Sequence, residues 1–218
     1  MEIPANVLGP RDTIVVEGRD AVSYVHSQVT QDVAAMAVGD VRWTFVLEPT
    51  GKVVALARVR RAAEERLELD TDAGFGDVLL ARLNRFKIRV AADTTLVPAP
   101  ADAPPGDDAA RVEFGWPAMG AEIVPGETLL AGTGLAGLAV SFTKGCYPGQ
   151  ELVERMDSRG ASAPRRLRRV LVDAGAAPGD PVVDRAGGEP AGELTTVAGR
   201  HALAWVRRGA EVGEPISF

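Results

Sequence analysis

One segment of this sequence gathers the ingredients of thiol chemistry. It is Lys144-Gly-Cys-Tyr-Pro-Gly-Gln-Glu151, and it holds the only cysteine of the chain, Cys146. The thiolate, not the thiol, is the nucleophile and the metal ligand, so whatever stabilises it controls reactivity. Gly145 and Gly149 allow a tight backbone around Cys146. Pro148, expected in the first turn of a helix, and the following Gln150-Glu151 mark a helix start just downstream. Unpaired N–H groups at such a start, together with the helix dipole, favour a thiolate. Lys144 adds a cation nearby. The competing reading is a buried structural cysteine, the commonest fate of a lone Cys. Residue types alone leave both readings open.

The other candidates are weaker. Gly132-Thr-Gly134-Leu-Ala-Gly137 matches the Gly-x-Gly-x-x-Gly dinucleotide pattern. Little room for the required helix remains before Gly145, and no βαβ unit surrounds it, so the context fails. Arg155, Arg159, Arg165, Arg166, Arg168 and Arg169 crowd one stretch with a single acid, Asp157. They read either as a solvated helix end and strand start or as an anion site beside the cysteine, since Arg pairs carboxylates with two parallel hydrogen bonds. His26 and His201 lack metal-ligand spacing. A Cys-His pair, whose members meet only in the fold, stays open. HExxH, GxSxG and P-loop motifs are missing, and Trp43, Trp116 and Trp205 read as core residues.

Bulk properties bound the possibilities. The chain has 218 residues, 46% hydrophobic, and a net charge of -6. That is enough to bury a core, and the acidity speaks against a general nucleic-acid binder. A single free thiol excludes an intrachain disulfide and fits a reducing compartment. The N-terminus shows neither a basic n-region nor an Arg-rich amphipathic stretch, and no window approaches ~18 apolar residues. The expectation is a soluble, cytoplasmic protein.

These residues need elements to hold them. Thr13–Val16 is β-branched and predicts a strand. Asp20 predicts the N-cap of a helix carrying Val22, Val25 and Val29. Strands are expected over 41–47 and 53–59, joined by the turn Glu48-Pro-Thr-Gly-Lys52, then over 67–70. The spacing of Phe75, Val78, Leu79, Leu83 and Phe86 predicts a helix, and 87–97 a strand. The order β-α-β-β-β-α-β implies an α+β layout with an antiparallel sheet. The Pro/Ala/Asp-rich stretch 98–110 reads as a linker. A helix is expected over 151–159. Short strands at 167–172, 181–183, 192–197, 201–206 and 215–218 suggest a small barrel or sandwich. The expected division is 1–160 and 161–218.

The cysteine segment resembles the signature of the YgfZ-type folate-binding proteins, relatives of the aminomethyltransferase (T-protein) of the glycine cleavage system. Gly18–Val33, Leu47–Lys52, Leu83–Arg89, Gly192–Thr196 and Ala202–Val206 resemble further family segments, in order along nearly the whole chain. The resemblance implies a T-protein-like α+β fold: two N-terminal subdomains around a folate cleft, then a C-terminal β-barrel. It implies tetrahydrofolate or a derivative as ligand, and an accessory role in iron–sulfur cluster assembly or repair. Assembly proteins or client enzymes would be the partners, with no membrane and no nucleic acid. By motif position Cys146 becomes the functional thiol. Lys144, Gly145, Tyr147, Gly149, Gln150 and Glu151 become the surrounding binding loop, with Arg155 beside them for a folate carboxylate. The alternative is a folate-dependent aminomethyl transferase. The chain departs from the pattern in two ways. It is shorter than typical members around 98–110, where the second subdomain would be built, and no residue matches the T-protein's catalytic aspartate.

Overall fold

The computed structural model describes residues 3–158, 163–184 and 188–218. After a short helix α1 (Ala5–Leu8), strand β1 (Arg11–Glu17) alternates strictly, burying Asp12, Ile14 and Val16. Helix α2 (Ala21–Gln28) follows, with Asp20 at its N-cap. The Asp20 side chain does not cap the helix; its Oδ2 instead accepts from the Ala91 amide at 2.7 Å. Strands β2 (Val41–Leu47), β3 (Val53–Ala63) and β4 (Arg66–Asp72), helix α3 (Gly76–Arg85) and strand β5 (Asp93–Val97) complete the expected order. The strand expected over 87–97 is confined to its last five residues, β5. Upstream, Arg89 takes a left-handed φ of 55°, which no strand accommodates.

All pairings in this sheet are antiparallel, in the order β2-β3-β4-β1-β5. Helices α2 and α3 cover one face and bury Tyr24, Val25, Leu79 and Leu83 there. On the other face Trp43, Arg58, Asp70 and Thr13 stand side by side in register.

From 98 to 164 the described residues contain no strand; they form helices α4 (Asp108–Phe114), α5 (Ala136–Ala139) and α6 (Gln150–Ser158), with turns between. A sheet-bearing second subdomain is therefore not built here. Trp116 and Met119 pack instead onto the open face, Trp116 with its ring centroid 4.5 Å from that of Trp43. The final strands are β6 (Arg165–Leu171), β7 (Pro181–Val183), β8 (Pro190–Ala198), β9 (His201–Arg207) and β10 (Glu214–Pro215), in the order β10-β6-β9-β8-β7. The last is only two residues long, where 215–218 was expected, because Ile216 and Phe218 turn away to pack on the preceding helices.

The Gly-x-Gly-x-x-Gly segment turns out to be a packing floor for the start of β6 and for the C-terminal residues beyond β10. A Cβ at Gly132 would lie 2.7 Å from Arg165 O, at Gly134 2.3 Å from Ile216 O, and at Gly137 2.6 Å from Phe218 O. Only glycine admits such close backbone approach.

A buried carboxylate fastens the second sheet to the segment that precedes it. Glu122, fully buried, accepts from Arg111 Nη1 at 2.7 Å and from the Thr195 and Thr196 hydroxyls at 2.6 Å each. Its carbonyl accepts from Trp205 Nε1 at 3.0 Å. Removing the carboxylate leaves the buried Arg111 with only the exposed Asp108 as counter-charge and two threonine hydroxyls without their acceptor. Glu122→Ala is expected to lower the unfolding free energy by about 3–5 kcal/mol, measured by urea denaturation; a change within experimental error would show that this network is not the fastening.

Candidate functional site

Two segments distant in sequence are laced together at one end of the first sheet. The chain leaving α2 passes through Val29, Thr30 and Gln31. The Thr30 hydroxyl donates to Ala139 O at 2.7 Å, the Thr30 carbonyl accepts from the Ser141 amide at 3.0 Å, and Gln31 Nε2 donates to Leu138 O at 3.2 Å. These bonds deliver the chain into the cysteine loop.

Lys144 then locks that loop. Its ammonium donates to Val29 O at 2.7 Å and to His26 O, both at the C-terminal end of α2. The last carbonyls of a helix lack intrahelical partners and carry the negative end of the dipole, so a cation there is favourable. The Tyr147 ring lies 5.1 Å from Nζ and closes the far side. Burial drives the Lys144 ammonium down to about 8, with Asp32 opposing the shift. The same burial pushes the Tyr147 phenol up to about 12.

Gly149 seats the other end of the loop. Its φ is +85°, and a Cβ there would lie 2.7 Å from Glu48 O and 2.9 Å from Gly51 Cα. The motif thus rests directly on the turn between β2 and β3, and a side chain at 149 would lift it off. Helix α6 begins at Gln150, so Pro148 precedes it rather than filling its first turn. Gln150 Nε2 donates to Glu154 Oε1 at 2.5 Å, and Arg155 pairs with Glu151 at 2.6 Å.

Between these anchors Cys146 is exposed. That excludes the buried structural role. It also stands four residues ahead of the helix start, and the nearby cation is committed to carbonyl oxygens. Of the arginine cluster, Arg155 lies on α6 and 165, 166, 168 and 169 on β6, where Arg169 bonds Glu214. Arg159 lies outside the described residues.

A second feature was not legible in the sequence. An open cavity of about 940 Å³ lies between α1 and the uncovered sheet face, lined by Ile3, Leu8, Arg11, Trp43, Arg58 and Asp70 among others. Asp70 accepts from Arg11 Nε and, at 2.9 Å, from Arg58 Nε. The Arg11 guanidinium also reaches Asp72 Oδ1 at 2.6 Å and lies 5.3 Å from the Trp43 ring centroid. The terminal Nη groups of Arg58 make no hydrogen bond among the described residues, and its side chain is 39% exposed. An aromatic floor, apolar walls and a free guanidinium fork suit a planar ligand that carries an anion. The register of β2, β3, β4 and β1 brings these residues together; within any one strand they are unremarkable alternating positions. Among the described residues no group of three or more His, Cys, Asp and Glu is arranged to hold a metal ion, and no helix is long and apolar enough to cross a membrane.

The stability of the lysine lock is pH-dependent. The folded value of about 8 lies below the ordinary 10.5, so between them the unfolded chain binds the extra proton and stability rises with pH. Relative to Lys144→Gln, the wild type is expected to gain stability from about pH 8 to pH 10 in denaturant melts. A flat difference across that range would show an ammonium that is not buried.

Comparison with known proteins agrees with this architecture. Residues 165–218 match the family model of the CAF17 C-terminal beta-barrel domain. The chain superposes on the glycine cleavage system aminomethyltransferase T from Bartonella henselae with a TM-score of 0.77 at 16% identity, covering 93% of this chain and 80% of that one. No curated protein matches the sequence. The C-terminal sequence match and the whole-chain fold likeness together bear out the resemblance to the YgfZ-type proteins and their relative, the T-protein.

Proposed function

We propose that this protein binds tetrahydrofolate or a derivative and serves as an accessory factor in iron–sulfur cluster assembly or repair, with Cys146 as its working thiol. The observation that carries the reading is an exposed thiol on a loop held rigid from both sides. A solvent-facing cysteine gains nothing for the core, whereas a fixed one can be presented to a partner.

Folate binding is supported by the T-protein-like fold and by the open cavity. A volume of about 940 Å³ is ample for a ligand of folate size. The buried Trp43 ring, already in contact with Trp116 and Arg11, floors the cavity, and Arg58 offers a fork to a carboxylate. Asp70 supplies acceptors for ring N–H groups, but both its oxygens already accept from arginines. That arrangement favours holding a ligand over moving its protons, and so favours the accessory role over aminomethyl transfer. The residue set lining this cavity does not include the cysteine loop, which we assign to the thiol's chemistry rather than to the pterin.

One cysteine cannot hold a cluster, which takes about four ligands. Cys146 would then act with a partner protein, with a second copy of the chain, or as a transient redox thiol. Client enzymes are the test: in a strain lacking the protein, wild type should restore iron–sulfur enzyme activities and Cys146→Ala should not. Full restoration by Cys146→Ala would remove the thiol from the function. For the ligand, calorimetric titration with tetrahydrofolate should give saturable heat that falls about tenfold or more in affinity in Arg58→Ala, the loss of one charge-assisted pair. No heat with the wild type, or an unchanged Arg58→Ala, would contradict the cavity assignment.

A further inference from the structure

The last turn of α3 runs into Arg85-Phe86-Lys87-Ile88-Arg89, a knuckle between that helix and β5. Its backbone is held in place. The Phe86 and Lys87 amides donate to Leu83 O and Asn84 O at 3.2 Å each, the Ile88 amide to Phe86 O at 3.1 Å, and the Ala91 amide beyond it to Asp20 Oδ2 at 2.7 Å. Three features of this fixed turn serve no contact within the fold. Ile88 is 76% exposed, the most exposed large apolar side chain among the described residues. Arg85, Lys87 and Arg89 make no side-chain hydrogen bond or ion pair among the described residues; Arg85 only lies against the Phe86 ring, 5.7 Å from its centroid. Arg89, at φ 55°, is the one non-glycine among the described residues with a left-handed backbone, a conformation that costs arginine more than glycine.

The charge here is one-sided. Between Asp77 and Asp93 the chain carries Arg82, Arg85, Lys87 and Arg89 and no acid, in a molecule whose net charge is -6. Arg82 is buried and spent on Leu47 O at 2.7 Å and Gln28 Oε1 at 3.2 Å, with its guanidinium over the Phe86 ring. It also places the knuckle. Arg82 grips the end of β2, and Gly149 sits on the turn that follows β2, so the knuckle and the cysteine motif adjoin one turn.

We propose that this knuckle is a docking surface for an acidic segment of a partner protein, with Arg85, Lys87 and Arg89 taking its carboxylates and Ile88 an apolar side chain between them. Charge complementarity selects the occupant, since guanidinium forks hold carboxylates through two parallel hydrogen bonds. A nucleic acid is repelled by the acidic whole, and the one ring available for stacking, Phe86, is already covered by Arg82 and Arg85. A membrane surface requires an apolar stripe, and a single isoleucine supplies none. The docking surface needs neither bound folate nor a reactive thiol.

Fluorescence anisotropy of a labelled Glu-Leu-Glu-Asp-Leu-Glu peptide, titrated with the full chain, tests this. Wild type should bind saturably, and more weakly as salt is added. Ile88→Ser should weaken binding about tenfold, and Arg85→Glu combined with Lys87→Glu by more. Arg89→Gly should weaken binding while raising the Tm by about 2 °C, because the strained backbone relaxes. A lowered Tm would make Arg89 a structural residue and overturn its part in the surface. No saturable binding by wild type, or binding left unchanged by Ile88→Ser and by the charge reversal, overturns the proposal. So does tighter binding, lost in the same variants, to a single-stranded oligonucleotide or to vesicles of anionic phospholipid. The titration contains no folate and no iron–sulfur client, so its outcome is read separately from complementation and calorimetry.

Discussion

The candidate site depends on one half-buried ammonium. Lys144 sits where the helix α2 runs out of internal hydrogen bonds, and it answers the free carbonyls of His26 and Val29. Without it a helix C-terminus would face a Gly-rich loop with unmatched charge density on one side and no anchor on the other. With it, two segments more than a hundred residues apart become one structural unit. The Thr30 and Gln31 bonds to Leu138, Ala139 and Ser141 extend the same seam. Gly149, pressed on the β2–β3 turn, fixes the loop's far end. What this bracing leaves uncovered is Cys146.

This explains why the cysteine motif carries a lysine two residues ahead and a glycine three residues after. Lys144 reads in the sequence as a cation for the thiolate, but the fold commits it to backbone oxygens. The half-buried Lys144 and the neighbouring His26 both feel Asp32, which tempers the shift of each. The thiol's loop and the cavity under α1 draw on separate residues, so ligand binding and thiol chemistry can be altered one at a time.

Much of the fold was legible because it rests on local periodicity. The β-branched run in β1, the alternation in β4, the Pro/Gly turn at 48–52 and the apolar spacing in α3 each match a built element. The misread stretches are those where tertiary contacts override the local pattern. Residues 87–92 look extended but turn through a left-handed Arg89, and 216–218 leave the second sheet to pack their side chains elsewhere. The exposure of Cys146 was not readable, because it depends on how far Lys144 reaches. The cavity was not readable either: Arg11, Trp43, Arg58 and Asp70 lie on four strands, and only the sheet register makes them neighbours. The glycine triplet at 132–137 was readable as unsuited to a dinucleotide, while its part as a floor for the start of β6 and the C-terminal residues needed the second sheet in place.

The strandless middle of the described chain gives the molecule its particular form. Over 98–164 a few helices and turns lay Trp116 and Met119 on the open face of the first sheet, and Glu122 fastens the C-terminal sheet to them. Everything then turns on whether the one thiol is presented as described. Titration of the native, folded protein with a chromogenic disulfide reagent tests this directly. The account predicts one thiol reacting promptly, at the same rate with and without a sub-denaturing dose of urea, with the circular dichroism spectrum unchanged. A thiol that reacts only as the protein unfolds would contradict it.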